Sequence, residues 1–216
     1  MKTPLNNSKS CGAVMRMAPV GLHPCLSEVF HTGVELAALT HGHPSGQLPA
    51  GVFAEIISRL NADDPLREAL NKALNTLKTF SNHQETLAAL ELAMALDHDT
   101  NIPSSQAIER IGQGWVAEEA LAISVYCALA SEDYREGILT AVNHDGDSDS
   151  TGSVTGSILG LVYGLDRIPP GWIENLELRE VICEIAEDLC NSPRWEIGDY
   201  PDDIDYAWVR KKYPYD

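Results

Sequence analysis

Positive charge and long apolar runs are scarce in this sequence. Its 216 residues hold 15 Lys and Arg against 32 Asp and Glu, which gives a formal net charge of −17. Because the negative electrostatic field of such a chain repels phosphate backbones, nucleic-acid binding is not expected. Bound cations or a basic partner would offset the charge. No apolar run reaches the roughly 18 residues of a membrane-spanning helix. The polar first ten residues also lack the apolar stretch of a secretory signal.

Paired cysteines are also missing. The cysteines are Cys11, Cys25, Cys127, Cys183 and Cys190, an odd number with no C-x-x-C spacing. This pattern favours free thiols in a reducing, cytoplasmic setting over a disulfide framework. Cys127 and Cys183 lie within apolar helical patterns, so we expect both to be small buried residues.

Alternation of β-branched residues at a period of two is absent over any useful length, while apolar residues recur at helical spacing. We therefore predict an all-α globule. The length suits one helical domain, placed at 1–190, with an acidic extension at 191–216 that packs on the domain or trails it. Residues 117–130 are apolar nearly all round and predict a central buried helix. Helical stripes are formed by Val52, Ile56 and Leu60, by Leu66, Leu70, Leu74 and Leu77, by Leu87, Leu90 and Met94, and by Leu178, Val181, Ile182, Ile185 and Leu189.

Glycine recurs every fourth residue at Gly152, Gly156, Gly160 and Gly164. In a helix these residues share one face, and each costs up to about 1 kcal/mol relative to alanine. That cost is tolerable if the bare face lets another helix approach closely. The spacing thus predicts a closely packed helix that ends before the prolines at 169–170, which cannot continue it.

Three aspartates precede this helix, at Asp145, Asp147 and Asp149 within the stretch 143–151. Clustered carboxylates repel one another, and a hard divalent cation such as Mg²⁺, Mn²⁺ or Ca²⁺ offsets that repulsion. A simple helix cap by Asp149, Ser150 or Thr151 is the plainer alternative. Capping accounts for one such residue, but not for three aspartates in five positions.

Two other families of acidic loop fit this stretch poorly. An EF-hand loop starting at Asp145 requires Gly at its sixth position and Glu at its twelfth, where this chain has Ser150 and Gly156. The pattern D-x-D-x-T at 147–151 also occurs in haloacid-dehalogenase phosphatases. There it follows an apolar strand, whereas residues 132–143 have the pattern of a helix end.

Four ordered stretches resemble motifs of the ADP-ribosylglycohydrolase family, which includes the hydrolase that reactivates dinitrogen reductase. The resemblance extends to about Leu189. The stretches are SCGAVMRMAPVG at 10–21, LTHGHPSG at 39–46, IGQGWVAEEAL at 111–121 and NHDGDSDSTG at 143–152.

The resemblance implies an orthogonal all-α bundle with two Mg²⁺ ions, or Mn²⁺, in a cleft. It also implies hydrolysis of the bond between ADP-ribose and an acceptor, commonly arginine or serine. Asp147, Asp149 and Ser150 match the family's C-terminal metal ligands. By the same likeness, Asn7, Ser8 and Gly12 would lie on the substrate loop, and His41 would face the ribose or the phosphates.

Plainer interpretations stand beside some of these assignments. His41 and His43 flank a glycine before a proline and are also typical turn residues. Arg16 could bind a diphosphate or could be buried in a pair with a carboxylate. Trp115 could stack on a base or seal the start of a helix.

The family's opening Gly-Asp-rich helix and Thr-Asp-Asp segment have no counterpart here, so the resemblance implies a bundle without its N-terminal helices. The acidic catalytic residue stays unassigned, and Mg²⁺ binding should be weak. Apolar faces left bare would need self-association, a partner chain or local repacking to cover them. The sequence leaves three hypotheses open. The first is a hydrolase of ADP-ribose conjugates, alone or completed by a complementary chain. The second is a non-catalytic immunity protein that neutralises an ADP-ribosyltransferase toxin by docking. The third is an inert fragment.

Overall fold

A computed structural model of the chain describes residues 6–99, 101–195 and 205–214. These ranges are helical, and their single strand-like feature is an isolated antiparallel bridge between Ser10 and Val116. The predicted all-α class is therefore confirmed. The helices are α1 (Ala18–Leu22), α2 (Val29–Ala38), α3 (Pro44–Asn61), α4 (Leu66–Leu77), α5 (Gln84–Asp97), α6 (Ser104–Ile111), α7 (Ala117–Ala130), α8 (Tyr134–Val142), α9 (Ser148–Tyr163), α10 (Pro170–Glu174), α11 (Arg179–Asn191) and α12 (Tyr206–Lys212).

The chain divides into two compact units. The larger comprises residues 1–22 and 26–175, and the smaller comprises 23–25 and 176–216. The predicted division after residue 190 stays a prediction. No helix in the described ranges is long and apolar enough to cross a membrane.

Helices α3 and α7 form the centre of the larger unit. The sequence predicts α7 from its apolar character on all sides, and the helix indeed buries most of its length, including Leu121, Ile123 and Val125. Helix α3 is buried from Ser45 to Ile57 and packs against α1, α2, α4 and α7. Its first turn begins with a proline, at a position where a backbone N–H would have no partner within the helix. The His43 ring accepts a hydrogen bond from the Ser45 backbone N–H. The start of α3 is therefore rigidly placed.

Helix α9 follows the acidic stretch, and its first glycines permit a close approach to α8. A Cβ added at Gly152 would lie 2.7 Å from Val142 Cγ1, and one at Gly156 would lie 3.4 Å from Ile138 Cδ1. Gly160 has nothing within 4 Å of that position. Close packing is therefore confirmed at Gly152 and is wrong for Gly160 and Gly164, because a Cβ at either position would have no neighbour within 4 Å.

The smaller unit is organised by polar and aromatic contacts. The Lys212 ammonium lies 2.6 Å from Glu184 and 2.5 Å from Asp188, and the rings of Trp195 and Trp208 meet edge to face at 4.9 Å. No residue of α11 is buried within the described part of the chain. The predicted burial of Cys183 is therefore wrong, whereas Cys127 on α7 is fully buried, which raises the pKa of its thiol to about 12.

Candidate functional site

The first described loop, residues 6–12, is fixed by a side chain that the sequence analysis did not single out. Asn6 Oδ1 accepts hydrogen bonds of 2.9 Å from the backbone N–H groups of Ser8 and Gly42, and Asn6 Nδ2 donates to the Thr40 carbonyl. Asn7, the residue expected on the substrate loop, is exposed. One amide therefore joins the loop to the segment that precedes α3.

Lys9 joins the same loop to α5 and α7. Its ammonium lies 2.5 Å from Glu118 and 2.9 Å from Glu85, and its carbonyl accepts a hydrogen bond from the Ala117 backbone N–H. The hydrogen bond to Glu118 outweighs burial and raises the pKa of Lys9, so the Lys9 ammonium stays charged at neutral pH. Ser45 also donates to Glu85, which ties α3 into this network.

His41 lies in a chain of hydrogen bonds beside the loop. The side chain is 7% exposed, with Nδ1 2.8 Å from Thr40 Oγ1 and Nε2 2.9 Å from Ser10 Oγ. Arg16 donates to Thr40 Oγ1 at 2.7 Å. Burial, aided by the Arg16 charge, lowers the pKa of His41, so the ring is neutral at pH 7. If the Thr40 hydroxyl donates to Nδ1, then Nε2 carries the proton and donates to Ser10.

The acidic stretch reaches the site through backbone contacts with the turn that precedes α7. The Asp147 N–H donates to the Gln113 carbonyl at 2.7 Å, and a Cβ at Gly146 would lie 1.9 Å from that carbonyl oxygen. Gly114 adopts a left-handed φ of +83° that favours glycine. Glu119 Oε2 accepts hydrogen bonds from the backbone N–H groups of Gln113 and Gly114 and so holds this turn.

A second histidine supports the acidic stretch from within. His144 Nδ1 accepts a hydrogen bond from the Gly146 N–H, and its Nε2 lies 2.9 Å from Thr151 Oγ1. The Thr151 hydroxyl donates to the Ala141 carbonyl at 2.8 Å. Burial lowers the pKa of His144, so the neutral ring suits this arrangement.

The two halves of the site meet where Cys11 contacts Asp147. The Cys11 thiol lies 2.7 Å from Asp147 Oδ2 and 3.5 Å from Ser150 Oγ, and all three residues are buried. Burial disfavours the charged form of Asp147, but hydrogen bonds from Cys11 and Ser150 outweigh it and lower the pKa of Asp147. Burial and the neighbouring Asp147 raise the pKa of the Cys11 thiol. The site therefore pairs an anionic carboxylate with a neutral thiol.

The predicted metal residues lie together, but they form only part of a cation site. Asp147 occupies the N-cap position of α9, and Asp149 and Ser150 lie in its first turn. Their oxygen donors suit a hard cation, and Asp147 is anionic. Within the described ranges, however, no group of three or more His, Cys, Asp or Glu side chains is placed to hold a metal. These oxygen donors would therefore suit Mg²⁺ only as part of a larger ligand set.

The remaining predicted residues lie in different surroundings. Gly12 lies beside His41, since a Cβ there would be 3.8 Å from the ring, and Ser8 Oγ lies 3.4 Å from Ser10 Oγ. Asp145 is exposed, and His43 caps α3.

Two interpretations from the sequence are corrected by the structure. Burial of Arg16 against a carboxylate is wrong, because the side chain is exposed and its hydrogen bonds go to Thr40 and the Leu36 carbonyl. Trp115 does not seal a helix start, because it is 58% exposed. Its backbone carbonyl instead accepts a hydrogen bond from the Cys11 N–H, which places the main chain of residue 115 next to the loop.

A profile of the ADP-ribosylglycohydrolase family matches residues 2–197. The chain belongs to this family. A solved ADP-ribosylglycohydrolase-related protein complex has a TM-score of 0.69 at 26% identity, over 84% of this chain and 59% of that one. The predicted family fold is confirmed by this likeness, whereas the absence of N-terminal helices stays a prediction.

Three curated relatives also match. An uncharacterized protein of Archaeoglobus fulgidus is 30% identical over 84% of this chain and 58% of its own length. The ADP-ribosyl-[dinitrogen reductase] glycohydrolase of Rhodospirillum rubrum is 26% identical over 66% and 48%, respectively. An ADP-ribosylarginine hydrolase of Serratia proteamaculans is 25% identical over 82% and 45%. The chain thus spans about half the length of these three relatives.

Proposed function

We propose that this chain binds ADP-ribose conjugates and takes part in hydrolysing the bond between ADP-ribose and its acceptor. The observation that carries the proposal is the 2.7 Å contact between the Cys11 thiol and the Asp147 carboxylate. It joins the loop at 6–12 to an acidic stretch 136 residues further along the chain. The family's activity on ADP-ribosylated substrates supports the proposal.

Neutral hydrogen-bonding groups on one side of the site suit the sugar and the phosphates. The hydroxyls of Ser8 and Ser10 and the neutral ring of His41 would bind ribose hydroxyls or phosphate oxygens. The exposed indole of Trp115 offers an aromatic face for the adenine base. These groups would orient the anomeric carbon so that water attacks it as the acceptor leaves.

The residues on the other side would hold a cation. Asp147, Asp149 and Ser150 are the side chains that would bind Mg²⁺ or Mn²⁺, which when bound supplies Lewis-acid polarisation of an oxygen. Because they form a partial set, we expect weak affinity for the free ion and tighter binding when ADP-ribose contributes its own oxygens.

Calorimetric titration of the purified chain with Mg²⁺ and ADP-ribose, separately and together, tests the proposal. We expect ADP-ribose binding that strengthens with Mg²⁺ and that Asp147→Asn abolishes. Asp133, the exposed N-cap residue of α8, provides a matched control. Asp133→Asn keeps an acceptor for the Glu136 N–H and should leave binding unchanged. Release of ADP-ribose from ADP-ribosylated arginine and serine peptides then measures turnover. If wild-type protein binds no ADP-ribose with or without Mg²⁺, the proposal is wrong.

A second candidate function is a binding protein that neutralises an ADP-ribosyltransferase toxin by docking. The partial ligand set within the described ranges favours it, because docking does not depend on a complete metal site. The net charge of −17 would steer a basic partner toward the chain. Such a protein needs the fold of the site but not its chemistry.

Neutralisation assays separate the two candidates. If the chain acts by hydrolysis, Asp147→Asn should abolish protection against an ADP-ribosyltransferase toxin. If it acts by docking, the same variant should protect as well as wild type, and a stable complex with the toxin should be recovered by size-exclusion chromatography. If Asp147→Asn still forms the complex with the toxin but no longer protects, docking is not the mechanism.

A further inference from the structure

Helix α11 of the smaller unit carries an apolar stripe that the described residues leave uncovered. The stripe consists of Leu178 at the N-cap, Val181, Ile182, Ile185 and Leu189. Val181, Ile182 and Ile185 are 46%, 49% and 51% exposed, and Leu178 is 65% exposed. An amphipathic helix gains most of its stability by burying such a face. The stripe therefore has the character of an interaction surface.

The charges of α11 are placed so that they do not prevent an apolar contact. At 3.6 residues per turn, Glu180, Glu184 and Glu187 lie on the side of the helix away from the stripe. Asp188 is nearer to it, and the Lys212 ammonium neutralises this carboxylate at 2.5 Å and also lies 2.6 Å from Glu184. An apolar partner can therefore cover the stripe without burying an unpaired carboxylate of α11.

The order of residues along the stripe fits a second copy of the same helix. Leu178, Ile182, Ile185 and Leu189 are separated by four, three and four residues, which is the spacing of the contact positions in paired helices. This spacing is the same in both directions along the chain. In an antiparallel pair about a two-fold axis, Ile182 of each copy faces Ile185 of the other, and Leu178 faces Leu189. The stripe is thus complementary to itself.

We propose that the chain forms an antiparallel two-fold dimer through the apolar stripe of α11. The helix has 13 residues and is about 20 Å long, so the contact is small and the dimer dissociates on dilution. Each copy carries a net charge of −17, and this repulsion opposes association. Salt screens the repulsion and therefore strengthens the dimer, whereas it would release a basic partner protein from the same surface. The dimer does not depend on the hydrolase activity.

Sedimentation equilibrium of the whole chain at low and high concentration tests the proposal. We expect the average mass to rise from one chain toward two with concentration, and to rise further with salt. Ile182→Glu places two carboxylates in an apolar contact and should weaken association at least about tenfold. Leu165→Glu, at a residue of the larger unit that is 68% exposed, is the matched control and should leave association unchanged.

Several outcomes of this experiment would overturn the proposal. They are a wild-type chain that stays monomeric at every concentration, a dimer that salt dissociates, and an Ile182→Glu protein that associates as wild type does. Equal weakening by Ile182→Glu and Leu165→Glu would also overturn it, because added charge alone would then explain the loss. Circular dichroism verifies that both variants are folded.

The exposed cysteines test the antiparallel direction independently. Cys25, Cys183 and Cys190 are exposed. Cys183 lies beside the midpoint of the proposed pair, so its two copies are level along the helix axis, whereas the two copies of Cys190 are about 20 Å apart along it. Three proteins, each keeping one exposed cysteine and carrying serine at the other two positions, are treated with a short bismaleimide. We expect the Cys183 protein to give a covalent dimer in the greatest yield. Equal or greater yield from the Cys190 protein would rule out the proposed pairing.

Discussion

Replacing Gly146 by alanine should destabilise the protein through a single backbone clash. The added Cβ would lie 1.9 Å from the Gln113 carbonyl oxygen, far inside van der Waals contact. To relieve this, the acidic stretch must move away from the turn before α7. That movement breaks the 2.7 Å hydrogen bond from the Asp147 N–H, which is made at a residue only 6% exposed.

The expected loss of stability has two sources, the steric strain and the broken hydrogen bond. Overpacking and an unpaired buried N–H together cost about 2–4 kcal/mol in the free energy of unfolding. Equilibrium unfolding in urea measures the difference, provided that the slope with denaturant stays the same. The Asp147 carboxyl resonance should also move, because the site residue shifts with its backbone.

Gly160 provides the matched control in α9. A Cβ there meets no atom within 4 Å, and the residue is helical, so Gly160→Ala should stabilise the protein by about 0.5–1 kcal/mol. Opposite signs for the two substitutions are the expected result. If Gly146→Ala were as stable as wild type, the contact between the acidic stretch and the turn would not exist as described.

Three further predictions concern the same site. In metal-free protein, Cys11→Ala should raise the pKa of Asp147, because it removes the largest hydrogen bond that offsets the effect of burial on this pKa. NMR titration of the carboxyl group measures the change, and an unchanged pKa would contradict the contact between the two residues. The pKa of His41 lies below its ordinary value of 6.5, so the stability that its neutral form gives is present above that pH and lost as pH falls through the folded pKa. Urea unfolding from pH 7 to pH 5 should show a shallower loss for His41→Gln than for wild type, and equal slopes would refute this linkage. Glu119→Gln weakens the acceptor for two backbone N–H groups and should cost about 1–2 kcal/mol, whereas a neutral effect in urea unfolding would show that the turn is held otherwise.

Local features of the fold were predictable because local sequence determines them. The predicted helix at 117–130 has the same bounds in the structure, because an apolar run of that length is longer than a typical buried strand and suits a buried helix. The acidic stretch was correctly placed before a helix, since glycine spacing and the following prolines marked that helix. The bundle type came from family motifs rather than from periodicity.

Contacts between distant segments were not predictable from one sequence. Asn6, rather than the expected Asn7, anchors the loop, and the difference depends on where the Thr40 and Gly42 backbone lies. The Cys11–Asp147 contact gives no local signal, because Cys11 alone has the pattern of any small buried residue. The three alternating aspartates suggest a cation site in the sequence, but only the folded structure shows that Asp147 is the buried one.

The separation of the site's halves along the chain has a consequence for the order of folding. The loop at 6–12 has nearby partners at Thr40 and Gly42, but its contacts with Val116, Ala117 and Asp147 join residues more than a hundred positions apart. Closing so long a segment costs conformational entropy that only the completed contacts offset. The contact between Cys11 and Asp147 should therefore form late in folding, after the helices around it have packed.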